Sequence, residues 1–188
     1  MKKREVILAI VLGIIALGIS TSCEEIDGLF EDIGVTITSD FYEMEFAIPP
    51  APSGIPVILQ ITMETDIKEI AAAKGYPDAT INYVRVQDAI MEVSEKSNVP
   101  NLNAIDTLGI SISNNLLNEK NIAYVKNNLP DAGSLPMETP NIDISDYLES
   151  VTYNLTNYTM LKETPADTLW VKGKIRYKIR LTIANISE

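Results

Sequence analysis

The chain has 188 residues, a formal net charge of −11 and no histidine. The lack of histidine excludes Ser-His-Asp and Cys-His catalytic arrangements, and it excludes the usual histidine-containing zinc and iron sites. The excess of carboxylates disfavours nucleic acid as a partner, because phosphate backbones are bound by lysine and arginine.

The first 22 residues have the order of an export signal. Residues 2–4 are KKR, Val6 to Ile19 carry no charge, and small residues at positions 20–22 precede Cys23. The apolar run is shorter than the roughly 20 residues that a helix needs to cross a bilayer. This length favours a cleaved signal peptide over residues 1–22, the alternative being an uncleaved N-terminal anchor.

Cys23 is the only cysteine and follows this segment directly. The sequence STSCEE resembles the lipobox of Bacteroidota lipoproteins, although position 20 would usually be Leu, Val or Ile. The pair Glu24-Glu25 is similar to the signal that sends some of these lipoproteins to the cell surface. We therefore expect a lipid on Cys23, which leaves no thiol for a disulfide or a metal. Several acyl chains hold a protein stably on its membrane, here the outer membrane, with the domain periplasmic or surface-exposed.

The mature chain would contain 166 residues (188 minus 22), which suits a single domain. Its formal charge would be −13, because the first 22 residues carry a net +2. Residues 23–34 hold five carboxylates without a regular period and are predicted to be an acidic tether. Residues 35–188 are predicted to be the folded domain.

Most of this domain alternates with a period of two, which predicts β-strands. The expected strands are Val35–Ile48 with a break near Ser39-Asp40, Val57–Thr65, Ala79–Ser94 with a bulge at residues 87–89, Leu108–Ser113 and Ile122–Lys126. Asp66 and Glu69 have the spacing of a capping box and predict a short helix that stops at Gly75. Residues 144–150 predict one or two further helical turns, with Asp143 or Ser145 as the N-cap.

The clearest strand runs from Val171 to Ile183, with apolar residues on one face and Lys or Arg on the other. We expect it to form a hairpin with Tyr153–Glu163 through a turn at residues 164–167. In that register Tyr158 faces Gly173, and Trp170 lies on the cationic face.

Together these elements predict an all-β fold, an antiparallel immunoglobulin-like β-sandwich with one or two short capping helices. The order of tether, early strands, bulged central strand and closing strands resembles small Bacteroidota lipoproteins with immunoglobulin-like domains. The resemblance implies no catalytic residues. The triplets Asp106-Thr107-Leu108 and Asp167-Thr168-Leu169 are similar to the O-glycosylation acceptor of exported proteins in that phylum.

The cationic face holds the predicted ligand site. Trp170 with Lys172 and Lys174 would bind an anionic glycan by stacking and charge. The competing interpretation is that outward lysines protect strands from aggregation and pair with nearby carboxylates. Carboxylate groups such as Glu64 with Asp66, or Asp143 with Asp146 and Glu149, have the right chemistry for a glycosidase, and Asp143 with Asp146 for a calcium site. Their spacing instead fits solvated surface.

The predicted function is a non-catalytic binding or structural module for an envelope glycan or an outer-membrane protein, anchored to the membrane through Cys23, without cofactor or metal. The alternative is a carrier that holds an apolar ligand in a cavity of the β-sandwich. A packed interior favours the module, and a large apolar pocket favours the carrier.

Overall fold

The computed structural model describes residues 34–126 and 132–183. The predicted signal peptide, Cys23 and the predicted tether up to residue 33 lie outside these ranges. Among the described residues, no helix has the length and apolar character needed to cross a membrane.

The described residues form strands joined by loops and two short helices. The strands are β1 (Gly34–Thr38), β2 (Tyr42–Ile48), β3 (Pro56–Glu64), β4 (Thr80–Val93), β5 (Ile105–Ser113), β6 (Lys120–Lys126), β7 (Ser134–Pro136), β8 (Thr152–Leu161) and β9 (Leu169–Thr182). The helices are α1 (Ile67–Ala73) and α2 (Ser145–Leu148).

The strands form two antiparallel sheets that pack face to face. In sheet I, β1 and β2 both pair with β9, which pairs on its other side with β4, and β4 pairs with β7. In sheet II the order is β3-β8-β5-β6. The predicted all-β antiparallel sandwich with short helices is confirmed.

The strand order is that of a jelly roll. If β1 and β2 are counted as one interrupted strand, the first strand pairs with the last, the second with the seventh, the third with the sixth and the fourth with the fifth. Such pairing describes one long hairpin rolled into two sheets of a sandwich. A constant-type immunoglobulin domain instead has the orders ABED and CFG.

Two irregularities that the sequence predicts are present. The first strand is interrupted at Ser39, whose hydroxyl accepts a hydrogen bond from the Tyr177 N–H at 2.9 Å and donates to the Asp40 carbonyl. β4 shifts register between Val86 and Asp88, as a bulge at residue 87 requires. A second shift, between Ile81 and Tyr83, was not predicted.

The predicted hairpin of Tyr153–Glu163 with Val171–Ile183 is wrong. β8 pairs with β3 and β5 in sheet II, whereas β9 belongs to sheet I. Residues 162–168 therefore cross from one sheet to the other, so Tyr158 pairs with Gly109 rather than facing Gly173. The alternation along a strand indicates which of its faces is buried, but it does not indicate which strand it pairs with.

The alternation itself is confirmed in β9. Ile175, Tyr177 and Ile179 are fully buried, and they belong to one apolar cluster between the sheets. Gly173 lies on the same face beneath Met44, since a Cβ added at Gly173 would stand 3.1 Å from the Met44 Cγ. The large side chains of both sheets therefore share a single core.

The two helices begin differently from the capping that we predicted. Asp66 precedes α1 but makes no side-chain cap; its Oδ1 accepts a hydrogen bond from the Tyr42 hydroxyl instead. Asp143 lies before α2, and its Oδ1 accepts hydrogen bonds from the Ser145 N–H at 3.0 Å and the Val84 N–H at 3.1 Å. Asp143 thus ties α2 to β4.

Candidate ligand-binding site

The predicted site residues lie where the alternation places them. Trp170, Lys172 and Lys174 are half-buried on the outward face of β9, the central strand of sheet I. β2 flanks them on one side and β4 on the other. The structure therefore brings the three residues together along one strand.

Carboxylates from both flanking strands pair with the cations in this half of β9. Lys172 Nζ lies 3.6 Å from Glu43, and Lys174 Nζ lies 3.8 Å from Glu43 and 2.6 Å from Glu92. The next cation, Arg176, donates from Nε to Asp88 at 2.8 Å. The cationic charge here is compensated within the sheet, as the competing interpretation requires.

Trp170 is also partly covered. The ammonium group of Lys96 lies 5.8 Å from the centroid of the indole ring, within the range of a cation–π contact. Lys96 in turn pairs with Glu45, which also accepts a hydrogen bond from Ser94 at 2.7 Å. The hydrogen bonds from Lys96 and Ser94 hold the pKa of Glu45 below its usual value.

Further along the same outward face, the cations have no such compensation. Arg85, Lys178 and Arg180 line an open groove of about 970 Å³ that we call the basic groove. Its other lining residues are uncharged: Gly34, Thr36, Asn82, Tyr83, Asn141 and Thr182. Among the described residues, no carboxylate lies within 4.0 Å of a cationic nitrogen of these three side chains.

The arrangement of these cations is electrostatically costly. Arg85 of β4 lies directly opposite Lys178 of β9, and Arg180 follows two residues later on the same face. Like charges directly opposite each other on neighbouring strands destabilise a sheet. On the other side of β9, Thr38 and Thr36 of β1 lie opposite Lys178 and Arg180. Neither threonine supplies a negative charge.

Polar side chains and one glycine shape the groove. Asn141 Oδ1 accepts hydrogen bonds from the Tyr83 hydroxyl at 3.0 Å and from the Arg85 guanidinium. Gly34 leaves room for the guanidinium of Arg180, because a Cβ added at Gly34 would lie only 3.1 Å from the Arg180 Nε. The groove thus presents guanidinium, ammonium, amide and hydroxyl groups, which together can bind an anion that also carries hydroxyls.

Sequence reasoning found only part of this groove. Lys178 and Arg180 belong to the predicted cationic face of the Val171–Ile183 strand, but Arg85 comes from a strand more than ninety residues earlier in the chain. Its outward position was detectable from alternation. Its place beside Lys178 depends on the pairing of β4 with β9, for which the sequence carried no signal.

A separate groove of about 740 Å³ lies at one end of the sandwich, between the two helices and β4. Its accessible apolar lining consists of the exposed Val151 and the partly buried Ile81, beside charged side chains such as Lys68 and Glu69. This is the surface that the carrier alternative would use. It opens to solvent and is mixed in polarity, whereas carrier cavities are mostly apolar.

The carboxylate groups named from the sequence have structural partners. Asp66 accepts the Tyr42 hydroxyl, and Asp143 accepts two backbone N–H groups and the Ser145 hydroxyl. Within residues 34–126 and 132–183, no three or more His, Cys, Asp or Glu side chains are grouped to hold a metal ion. One Asp-Thr-Leu triplet, residues 106–108, lies near the start of β5, and its Thr107 hydroxyl donates to Asp106.

Comparison with known proteins gives no family. No family model matches the chain, and no curated protein matches it. A structure of Desmodium yellow mottle tymovirus is similar with a TM-score of 0.26 and 6% identity, over 82% of this chain and 92% of that chain. One of turnip yellow mosaic virus has a TM-score of 0.26 and 8% identity, over 82% and 84%.

Proposed function

We propose that this protein is a lipid-anchored, non-catalytic module of the cell envelope that binds an anionic glycan in the basic groove. The observation that carries the proposal is the pair Arg85 and Lys178, two cations directly opposite each other without a carboxylate partner among the described residues. In a chain with a net charge of −11, uncompensated cations on one groove indicate selection for a negatively charged partner.

The class of ligand follows from the chemistry of the groove. Guanidinium groups bind carboxylate or sulfate oxygens, while Asn82, Asn141 and Tyr83 supply hydrogen-bonding groups for hydroxyls. A polymer of acidic sugars offers both features along an open surface. The groove is open rather than enclosed, which suits a chain that passes through it.

The non-catalytic part of the proposal is supported by composition. The chain has no histidine, and its only cysteine is Cys23, the expected lipid attachment site. The basic groove has no carboxylate among its lining residues, so the groove itself lacks the acid and base that glycoside hydrolysis uses.

Isothermal titration with a galacturonic acid hexasaccharide tests the proposal. We expect the acidic probe to bind, and binding to weaken as salt is raised. Lys178→Gln and Arg85→Gln should each weaken binding about tenfold, since charged hydrogen bonds are the strong ones. Lys172→Gln is the matched control, on the same strand and face but paired with Glu43.

Two results would overturn the proposal. One is affinity for the acidic probe that stays unchanged in both groove variants while the fold is intact. The other is shortening of the oligosaccharide during long incubation, detected by mass spectrometry and lost when a carboxylate is replaced. The first result would show that the basic groove does not bind the glycan. The second would show that the protein is catalytic.

A further inference from the structure

The outward face of sheet II carries two tyrosines on either side of a glycine. Ile58, Tyr158, Gly109 and Tyr124 form one row across β3, β8, β5 and β6. Neighbouring strands lie about 4.8 Å apart, so the backbones of the two tyrosines are separated by roughly 10 Å. A Cβ added at Gly109 would meet nothing closer than 3.8 Å, which leaves the space between the tyrosines open.

This space belongs to a groove of about 610 Å³ that we call the tyrosine trough. It is lined by Gly109, Tyr124 and Tyr158 together with Asp106, Glu119 and Asn121, among others. None of its lining residues is Lys or Arg. Because Asp106 and Glu119 would repel an anion, the trough does not suit an acidic ligand.

Carboxylates hold both tyrosine rings in place. The Tyr158 hydroxyl donates to Glu119 Oε2 at 2.5 Å. Glu119 directly precedes β6, whereas Tyr158 lies in β8 on the other side of β5, so this hydrogen bond joins two strands that are not neighbours. A hydrogen bond with Glu138 raises the pKa of Tyr124, and the backbones of these two residues exchange hydrogen bonds of 3.0 and 2.8 Å.

The rings are therefore ordered before any ligand arrives, although both remain accessible. Tyr158 is half-buried and Tyr124 is 40% exposed. Side chains that are already fixed lose little entropy when a ligand binds, which is the benefit of preorganisation. An aromatic ring offers an apolar face, and the carboxylates and amide around it accept and donate hydrogen bonds.

We propose that the tyrosine trough binds an uncharged oligosaccharide, with one sugar ring over Gly109 between Tyr124 and Tyr158. The C–H face of the sugar packs on the aromatic rings, and its hydroxyls bond to Glu119 and Asn121. This site lies on the opposite side of the sandwich from the basic groove. It goes beyond the proposed function, because it gives the module a second ligand of different charge.

Titration of the purified protein with cellohexaose, mannohexaose and maltohexaose tests the proposal. We expect at least one of them to bind. Gly109→Val fills the floor of the trough without removing any group that contacts the ligand, and we expect it to weaken binding at least tenfold. Tyr158→Ala should weaken binding by a similar factor. Gln60→Val, on the same outward face in β3 but outside the trough, is the matched control and should bind as the wild type does.

Gly109→Val should fold, because valine suits a strand and the added Cβ has room. Thermal unfolding checks this, and Tyr158→Ala carries the test if the valine variant does not fold. The proposal is overturned if none of the three sugars binds at millimolar concentration, or if folded variants of the trough bind as tightly as the wild type.

The same variants separate this site from the basic groove. Lys178→Gln should leave the uncharged sugar bound with unchanged affinity, and Gly109→Val should leave binding of the galacturonic acid hexasaccharide unchanged. Trough-dependent binding of an extended peptide with no response to sugars would also overturn the proposal, since it would make the trough a protein contact.

Discussion

The hydroxyl oxygens of Tyr153 and Tyr177 lie 3.4 Å apart in the interior, one from each sheet. Both side chains are buried among apolar residues. Tyr153→Phe should therefore leave the Tyr177 hydroxyl without this partner and lower the free energy of unfolding by about 1–3 kcal/mol. Urea unfolding measures the change. Tyr158→Phe removes a hydroxyl whose bond to Glu119 is at the surface, so its loss should be smaller, up to about 1 kcal/mol, and equal losses in both variants would contradict the prediction.

The same two tyrosines predict a loss of stability in alkali. Burial raises the pKa of both Tyr177 and Tyr153, although for Tyr153 the hydrogen bond with Tyr177 acts in the opposite direction. Their folded-state pKa values lie above the unfolded value of 10.0, so the stabilisation is complete below pH 10 and is lost as the pH rises beyond it. We expect tyrosinate absorbance from these residues to appear together with loss of the strand signal in circular dichroism. Full tyrosine ionisation with the fold intact would contradict this.

Lys178→Gln should leave the fold as stable as before or stabilise it by about 0.2–1 kcal/mol, because it removes the repulsion from Arg85. Lys174→Gln, four residues earlier on the same face, should instead lower stability by up to about 1 kcal/mol, since Lys174 is paired with Glu43 and Glu92. Thermal unfolding at low ionic strength compares the two variants. A larger loss for Lys178→Gln than for Lys174→Gln would show that Lys178 has a structural partner.

Asp143→Asn should destabilise the domain near neutral pH and matter less in acid. Partial burial acts to raise the pKa of Asp143, but the hydrogen bonds from Ser145 and Val84 prevail and hold that pKa below its ordinary value of 3.8. The stabilisation is therefore present above pH 3.8 and is lost as the pH falls through the lower folded-state value. Urea midpoints of wild type and variant, measured at pH 7 and at pH 3, should differ more at the higher pH.

Mass spectrometry of the mature protein should find an acylated N-terminal Cys23, since this cysteine follows the predicted signal peptide directly. Cys23→Ser should release the protein from the membrane fraction, because the acyl chains supply the anchorage. Ser22→Ala, which keeps a small residue before the cysteine, is the control and should remain membrane-bound. A mature chain that begins at Met1 would contradict the prediction.

The sequence predicts the faces of strands better than their partners. The phase of alternation placed Ile175 and Ile179 in the core, and its slip at Gln87 marked the bulge, since both properties belong to a single strand. Pairing joins residues that are distant in the chain. The hairpin of Tyr153–Glu163 with Val171–Ile183 was favoured because the segments are adjacent in sequence, yet their buried faces meet across the core.

The candidate site shows the same division. Outward positions for Lys172 and Lys174 were correct, but their carboxylate partners Glu43 and Glu92 come from β2 and β4. The tyrosine trough was not predicted, because its row joins residues from four strands. No local spacing in the sequence brings Tyr124 and Tyr158 to either side of Gly109.

The position of β9 also determines when this fold can form. β1, β2 and β4 all hydrogen-bond to β9, the last described strand to leave the ribosome. A nascent chain that stops before Leu169 leaves β1 and β2 with no neighbour in sheet I, and it exposes one edge of β4. Long-range pairing of this kind slows folding. Sheet I must therefore assemble after synthesis of its final segment, whereas the last strand of sheet II is already complete at Leu161.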